Sequence, residues 1–168
     1  GLVHRDIKPS NIIFVNGVAK LGDIGLVTDA GDTQSIVGTE GYLPPEGPGT
    51  PQADLFSLGK VLYEMSTGMD RRRFAELPDD MREWPDRGAV FEFNSIVLRA
   101  CAKDPVQRYQ TAEQLQDDLA LLQEGKSVRQ AHGKRLLRTH AKRVTVGLVL
   151  LAVVVAGVAH LTRQIQRN

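Results

Sequence analysis

His4, Arg5, Asp6 and Lys8 put four polar groups into five positions, and Asn11 and Asp23 add a carboxamide and a second carboxylate shortly afterwards. Pro9 and Asn11 interrupt any regular element, so Val3 to Asn11 reads as a loop. The side-chain oxygens of Asn11 and Asp23 are hard donors of the type Mg²⁺ prefers. An isolated aspartate in a loop is ordinarily a turn cap. The meaning of Asp6 and Asp23 therefore depends on the elements around them.

Those elements begin at once. Ile12 to Val15 and Val18 to Leu21 are short strand-like runs, and Asn16-Gly17 between them predicts a tight hairpin because both residues tolerate positive φ. Gly22 to Gly49 passes through Gly, Asp, Thr and Pro44-Pro45 with little periodicity, as a long ordered loop of the functional kind does. Asp54 to Thr67 is predicted helical. Leu55, Phe56, Leu58, Val61, Leu62 and Met65 cover so much of its circumference that it should be buried nearly all round. Residues 68–89, rich in Arg, Asp, Pro and Gly, show no clear period. Phe93, Ile96, Val97, Ala100 and Cys101 fall at helical spacing, with a stop before Pro105. Thr111 and Gln114 match a capping box ahead of the stripe Leu115, Leu119 and Leu122, and Gly125 closes both that helix and the folded domain.

The octapeptide His4-Arg5-Asp6-Ile7-Lys8-Pro9-Ser10-Asn11 resembles the protein-kinase catalytic loop H-R-D-x-x-x-x-N, and Asp23-Ile24-Gly25 stands where kinases carry D-F-G. The hairpin, Gly38-Thr39 and Pro44-Pro45-Glu46 follow in the family's order. Residues 1 to about 123 are thus similar to the C-terminal lobe of a bacterial-type serine/threonine protein kinase. The resemblance implies a mainly α fold with a small β-hairpin, and transfer of the γ-phosphate of ATP to serine and threonine hydroxyls of protein substrates. That reaction depends on positioning and charge neutralisation more than on covalent chemistry.

By the same resemblance Asp6 is the base that accepts the hydroxyl proton, and Lys8 meets the charge on the transferred phosphate. Asn11 and Asp23 would hold Mg²⁺, or Mn²⁺ in its place, against the nucleotide phosphates. Arg5 would receive a phosphorylated residue of the activation segment, with Thr28, Thr33 and Ser35 as candidates and Thr39 as the substrate-binding threonine. Glu46 and Arg108 resemble the ion pair that fastens the end of that segment, and Asp54 the helix carboxylate that accepts backbone N–H groups of the catalytic loop. Two departures stand out. Ile24 replaces the usual aromatic residue, and the Gly-rich loop, strand lysine and adenine-gripping hinge of a kinase do not precede His4. The expectation is a chain cut at its front that transfers little phosphate alone. The alternative reading is a catalytically inactive kinase-like membrane scaffold or regulator.

Charge divides the chain. Residues 1–125 hold 12 basic residues and all 20 acidic ones, a net −8, whereas residues 126–168 hold 9 basic residues and no acid. The single cysteine, Cys101, excludes an intrachain disulfide and suits a reducing compartment. Lys126, Arg129, Lys134, Arg135, Arg138, Lys142 and Arg143 precede an uncharged run of 19 residues, 144–162, which at ~1.5 Å per residue would span about 28 Å. The expected organisation is a lobe over 1–124, a basic juxtamembrane segment over 125–143, a single transmembrane helix over 144–162 and a short tail. The excess of basic residues before the run would place the lobe in the cytoplasm, tethered to the cell membrane. Expected partners are ATP, protein substrates, the lipid bilayer and a second chain for autophosphorylation. Nucleic acid is not expected, because the basic residues lack interleaved aromatics.

Overall fold

The computed structural model describes residues 2–29 and 38–133. The chain divides after Val128, and the elements below belong to the unit that ends there.

Helix α1, Pro51–Thr67, is the central element. The Thr50 hydroxyl accepts the Ala53 N–H at 3.1 Å, and Pro51 fills the first helical position, where its missing N–H leaves nothing unpaired. The helix therefore starts three residues before Asp54, the expected first residue. Ala53, Leu55, Phe56, Ser57, Gly59, Val61 and Tyr63 are buried, but Met65 is 70% exposed, so one side of the helix faces solvent.

Helix α2, Arg87–Ala100, lies against α1 at very short range. A Cβ on Gly59 would sit 2.6 Å from Cys101 Sγ and 2.9 Å from Ala100 Cβ, a space only glycine leaves open. Helix α3, Ala112–Gln123, begins at Thr111, whose hydroxyl accepts the Gln114 N–H. The Gln114 side chain returns to the Gln110 N–H at 3.0 Å, one residue earlier than a capping box requires. Leu55, Ile96, Ala100, Tyr109, Leu115 and Val128 form the main core. Glu92 accepts the Ser127 hydroxyl at 2.7 Å and the Val128 N–H at 3.0 Å, which carries the packed unit past Gly125.

Two small antiparallel sheets complete the unit. Strands β2, Ile12–Val15, and β3, Val18–Leu21, pair Val15 with Val18 and Ile12 with Leu21 around Asn16 and Gly17, both at positive φ. Strands β1, Leu2–Val3, and β4, Thr28–Asp29, pair across the intervening loop and hairpin. At two residues each, they are too short to show alternation in sequence. Between α1 and α2 the chain makes 3-10 turns at Arg71–Arg73 and Asp79–Glu83.

One part of the expected fold is corrected. The helical lobe and hairpin are present, but the membrane-spanning helix is not part of the described fold. The longest described helix, α1, has 17 residues and carries Asp54, Lys60 and Glu64. Among the described residues no helix is long and apolar enough to cross a membrane. The run 144–162, like the basic residues 134–143, lies outside the described residues. Its reading rested on composition and length alone, and an apolar stretch does not by itself specify what covers it.

Candidate active site

The loop between β1 and β2 is held from α1. Asp54, in the first turn of that helix, accepts the His4 N–H on Oδ2 at 2.6 Å and the Arg5 N–H on Oδ1 at 2.9 Å. These bonds fix Arg5 at φ 70°, a backbone region that costs a non-glycine residue about 1–3 kcal/mol. Burial raises the Asp54 carboxyl above its ordinary value despite the two N–H donors. The His4 ring bonds the Gly22 carbonyl at 3.0 Å, tying the loop to the end of the hairpin.

Asp6 is buried at the centre of a four-residue group. The Thr39 hydroxyl donates to Asp6 Oδ1 at 2.8 Å and accepts from Lys8 Nζ at 2.9 Å, while Lys8 Nζ lies 2.6 Å from Asp6 Oδ2. Asn11 Nδ2 donates to the Asp6 carbonyl at 2.8 Å and to Asp6 Oδ2 at 3.1 Å. Burial alone would push the Asp6 carboxyl up. The hydrogen bonds from Lys8, Thr39 and Asn11 and the Lys8 charge outweigh it, and Asp6 stays below its ordinary value. At neutral pH it is an unprotonated acceptor. Thr39 reaches this group because Gly38, at φ 125°, packs where a Cβ would lie 2.8 Å from the Arg5 carbonyl oxygen.

Asp23 is exposed, at φ 54° and ψ 65°, and follows Gly22, whose N–H donates to the Asn11 carbonyl at 2.7 Å. This bond places Asp23 next to Asn11 along the backbone. Thr28 lies in β4 opposite Val3, with its hydroxyl oxygen buried and without a hydrogen-bond partner. Thr33 and Ser35 lie outside the described residues. Glu46 and Arg108 form a separate pair. The guanidinium donates to Glu46 Oε1 at 2.5 Å and Oε2 at 3.0 Å, and its Nε to the Ala102 carbonyl at 2.7 Å. Burial raises the Glu46 carboxyl, but the bonds and charge of Arg108 and a backbone N–H bring it below its ordinary value.

Sequence reasoning passed over Tyr42, Glu64 and Arg71. The Tyr42 hydroxyl donates to Glu64 Oε2 at 2.5 Å, and burial together with that carboxylate pushes it up to about 12. The partners sit in a loop, a helix and a 3-10 turn, so no local spacing announces them.

A carboxylate, an ammonium and a hydroxyl thus lie within one hydrogen bond of one another, in a loop joined to the end of the hairpin that carries Asp23. The protein kinase domain model matches residues 1–119, and the chain belongs to that family. It is 35% identical over 150 residues to a probable serine/threonine-protein kinase of Streptomyces coelicolor, covering 76% of this chain and 22% of that protein. It is 35% identical over 149 residues to the serine/threonine-protein kinase PknB of Mycolicibacterium smegmatis, covering 76% and 24%. With PknB of Mycobacterium tuberculosis the identity is 33% over 150 residues, covering 74% and 24%. The chain spans about a quarter of the length of these curated relatives.

Proposed function

We propose that this chain supplies the catalytic loop of a serine/threonine protein kinase that moves the γ-phosphate of ATP to protein hydroxyls. The observation that carries the reading is the Thr39 hydroxyl bonded to both Asp6 and Lys8. An acceptor hydroxyl entering beside Thr39 finds a carboxylate oxygen for its proton and an ammonium for the phosphate. The hydroxyl oxygen forms the new bond to phosphorus, the bond to the ADP oxygen breaks, and Asp6 takes the proton. Lys8, already paired with Asp6, leans toward negative charge without leaving the group.

The donor set fits a hard cation. Asn11 commits its amide nitrogen to Asp6, leaving Oδ1 as its oxygen donor, and Asp23 offers an exposed carboxylate. Mg²⁺ held by Asn11 and Asp23 would complete its shell with phosphate and water oxygens and would neutralise phosphate charge. Ile13, Phe14, Val18 and Leu21, exposed on the hairpin, suit a covering nucleotide-binding half.

The test uses the complete natural polypeptide with Mg-ATP and a serine/threonine peptide library. Asp6→Asn should lower phosphate transfer about 10²- to 10⁴-fold with little change in stability. Undiminished transfer removes Asp6 from the mechanism. No transfer by the unsubstituted protein favours the scaffold reading.

A further inference from the structure

Arg71 sits in the irregular stretch after α1, yet it is tied to the segment that carries Thr39. Its Nε donates to the Glu40 carbonyl at 3.3 Å, and its Cζ lies 4.4 Å over the Tyr42 ring centroid. Between these contacts, a Cβ on Gly41 would lie 2.6 Å from Arg71 Nε, so the guanidinium rests directly on the Gly41 backbone. On its other side Nη1 reaches Glu64 Oε1 at 3.5 Å. The residue is itself fixed to α1 at both backbone atoms. Its N–H donates to Glu64 Oε1 at 3.0 Å, and its carbonyl accepts from Lys60 Nζ at 3.0 Å.

The Tyr42 end of the segment has other holds, since Ser57 Oγ donates to the Tyr42 carbonyl at 2.9 Å and the Tyr42 hydroxyl bonds Glu64. What Arg71 adds is the grip on the Glu40 carbonyl and the Gly41 backbone, next to Thr39. The Thr39 hydroxyl is in turn shared by Asp6 and Lys8. A loose Glu40–Gly41 peptide would let that hydroxyl drift while the rest of the lobe stayed packed.

We infer that Arg71 is a positioning residue for the Thr39–Tyr42 segment, setting where the acceptor protein chain lies relative to Asp6. The inference rests on the kinase reading above. Arginine is required because one planar group must stack on Tyr42, donate to a carbonyl and meet a carboxylate together, which a lysine ammonium cannot do.

The test is steady-state phosphorylation by the complete natural polypeptide, comparing Arg71→Ala, Arg71→Lys and the unsubstituted protein. Arg71→Ala should lose about ten- to a hundredfold in turnover with peptide substrate, as expected for a displaced positioning group, while KM for ATP stays within about twofold. Arg71→Lys should fold and remain defective, and added guanidinium ion should restore part of the Arg71→Ala activity. An active parent protein whose Arg71→Ala or Arg71→Lys form keeps full turnover overturns the inference alone. So does an Arg71→Ala loss mirrored in ATP affinity, or one that guanidinium does not restore. A parent protein that transfers no phosphate overturns the kinase reading and this inference with it.

Discussion

From His4 to Ile7, and again at Asn11, the catalytic loop is buried, and Asp54, Asn11 and Thr39 bond its backbone or its carboxylate. A few residues on, the β2–β3 hairpin leaves Phe14 69% exposed and Val18 55% exposed. The two regions adjoin in sequence and share the Gly22–Asn11 backbone bond, yet one is tied down by side chains from α1 and from the Thr39 segment and the other stands open on its apolar side. The lower helices therefore hold Asp6 and Lys8 in place, while the hairpin packs on the core through Ile12 and leaves Ile13, Phe14 and Val18 open.

The sharpest way to break this contrast is to weaken the helical lobe. Glu46→Ala leaves the fully buried Arg108 charge without its carboxylate, a change that usually costs about 3–5 kcal/mol. Glu46 is itself about one-third exposed, and the Ala102 carbonyl still accepts from Arg108, so about 2–3 kcal/mol is expected by urea denaturation. Because Arg108 depresses the Glu46 carboxyl, this contribution should be complete above about pH 4.5 and fade as pH falls through the lowered value. In Glu46→Ala that part of the acid dependence should vanish.

A smaller effect sharpens the contrast inside the catalytic loop. Burial raises the Asp6 carboxyl and Lys8 is a principal group lowering it, so Lys8→Met should move it upward, with Thr39 and Asn11 still holding it down in part. A base works only when unprotonated. The acid limb of the pH profile of kcat/KM should therefore move to higher pH, beyond the general loss of rate, and an unmoved limb would mean that Lys8 does not tune Asp6. The smallest effect belongs to the hairpin. Phe14→Ser should change lobe stability by no more than about 0.5 kcal/mol, read from the same urea transition, because so little of the ring is covered.

The contrast also describes what could be read in advance. The octapeptide, the Asn16-Gly17 hairpin and three helices are written locally, in motif order, turn chemistry and 3.6-residue spacing, although α2 begins at Arg87, inside the stretch that shows no clear period and six residues before the first position of its apolar pattern. The start of α1 was misplaced by three residues because a threonine cap and a proline set it, ahead of the first apolar position. The β1–β4 pair escaped because two-residue strands carry no pattern, and Met65 because an apolar residue near a helix end need not face the core. Within the site, the spacing from Asp6 to Asn11 was visible. The hold of Arg71 on the Glu40 carbonyl was not, since it joins residues 31 apart across an unpatterned turn.

The close approach of α1 and α2 at Gly59 has a practical side. Cys101 Sγ fills the space that a side chain on Gly59 would take, and burial pushes its thiol up to about 12. A thiol in that condition presents almost no thiolate to an alkylating reagent or an oxidant at neutral pH. As the sole cysteine of the chain, it can be modified only when the two helices separate, so its rate of labelling measures how often the lobe comes apart.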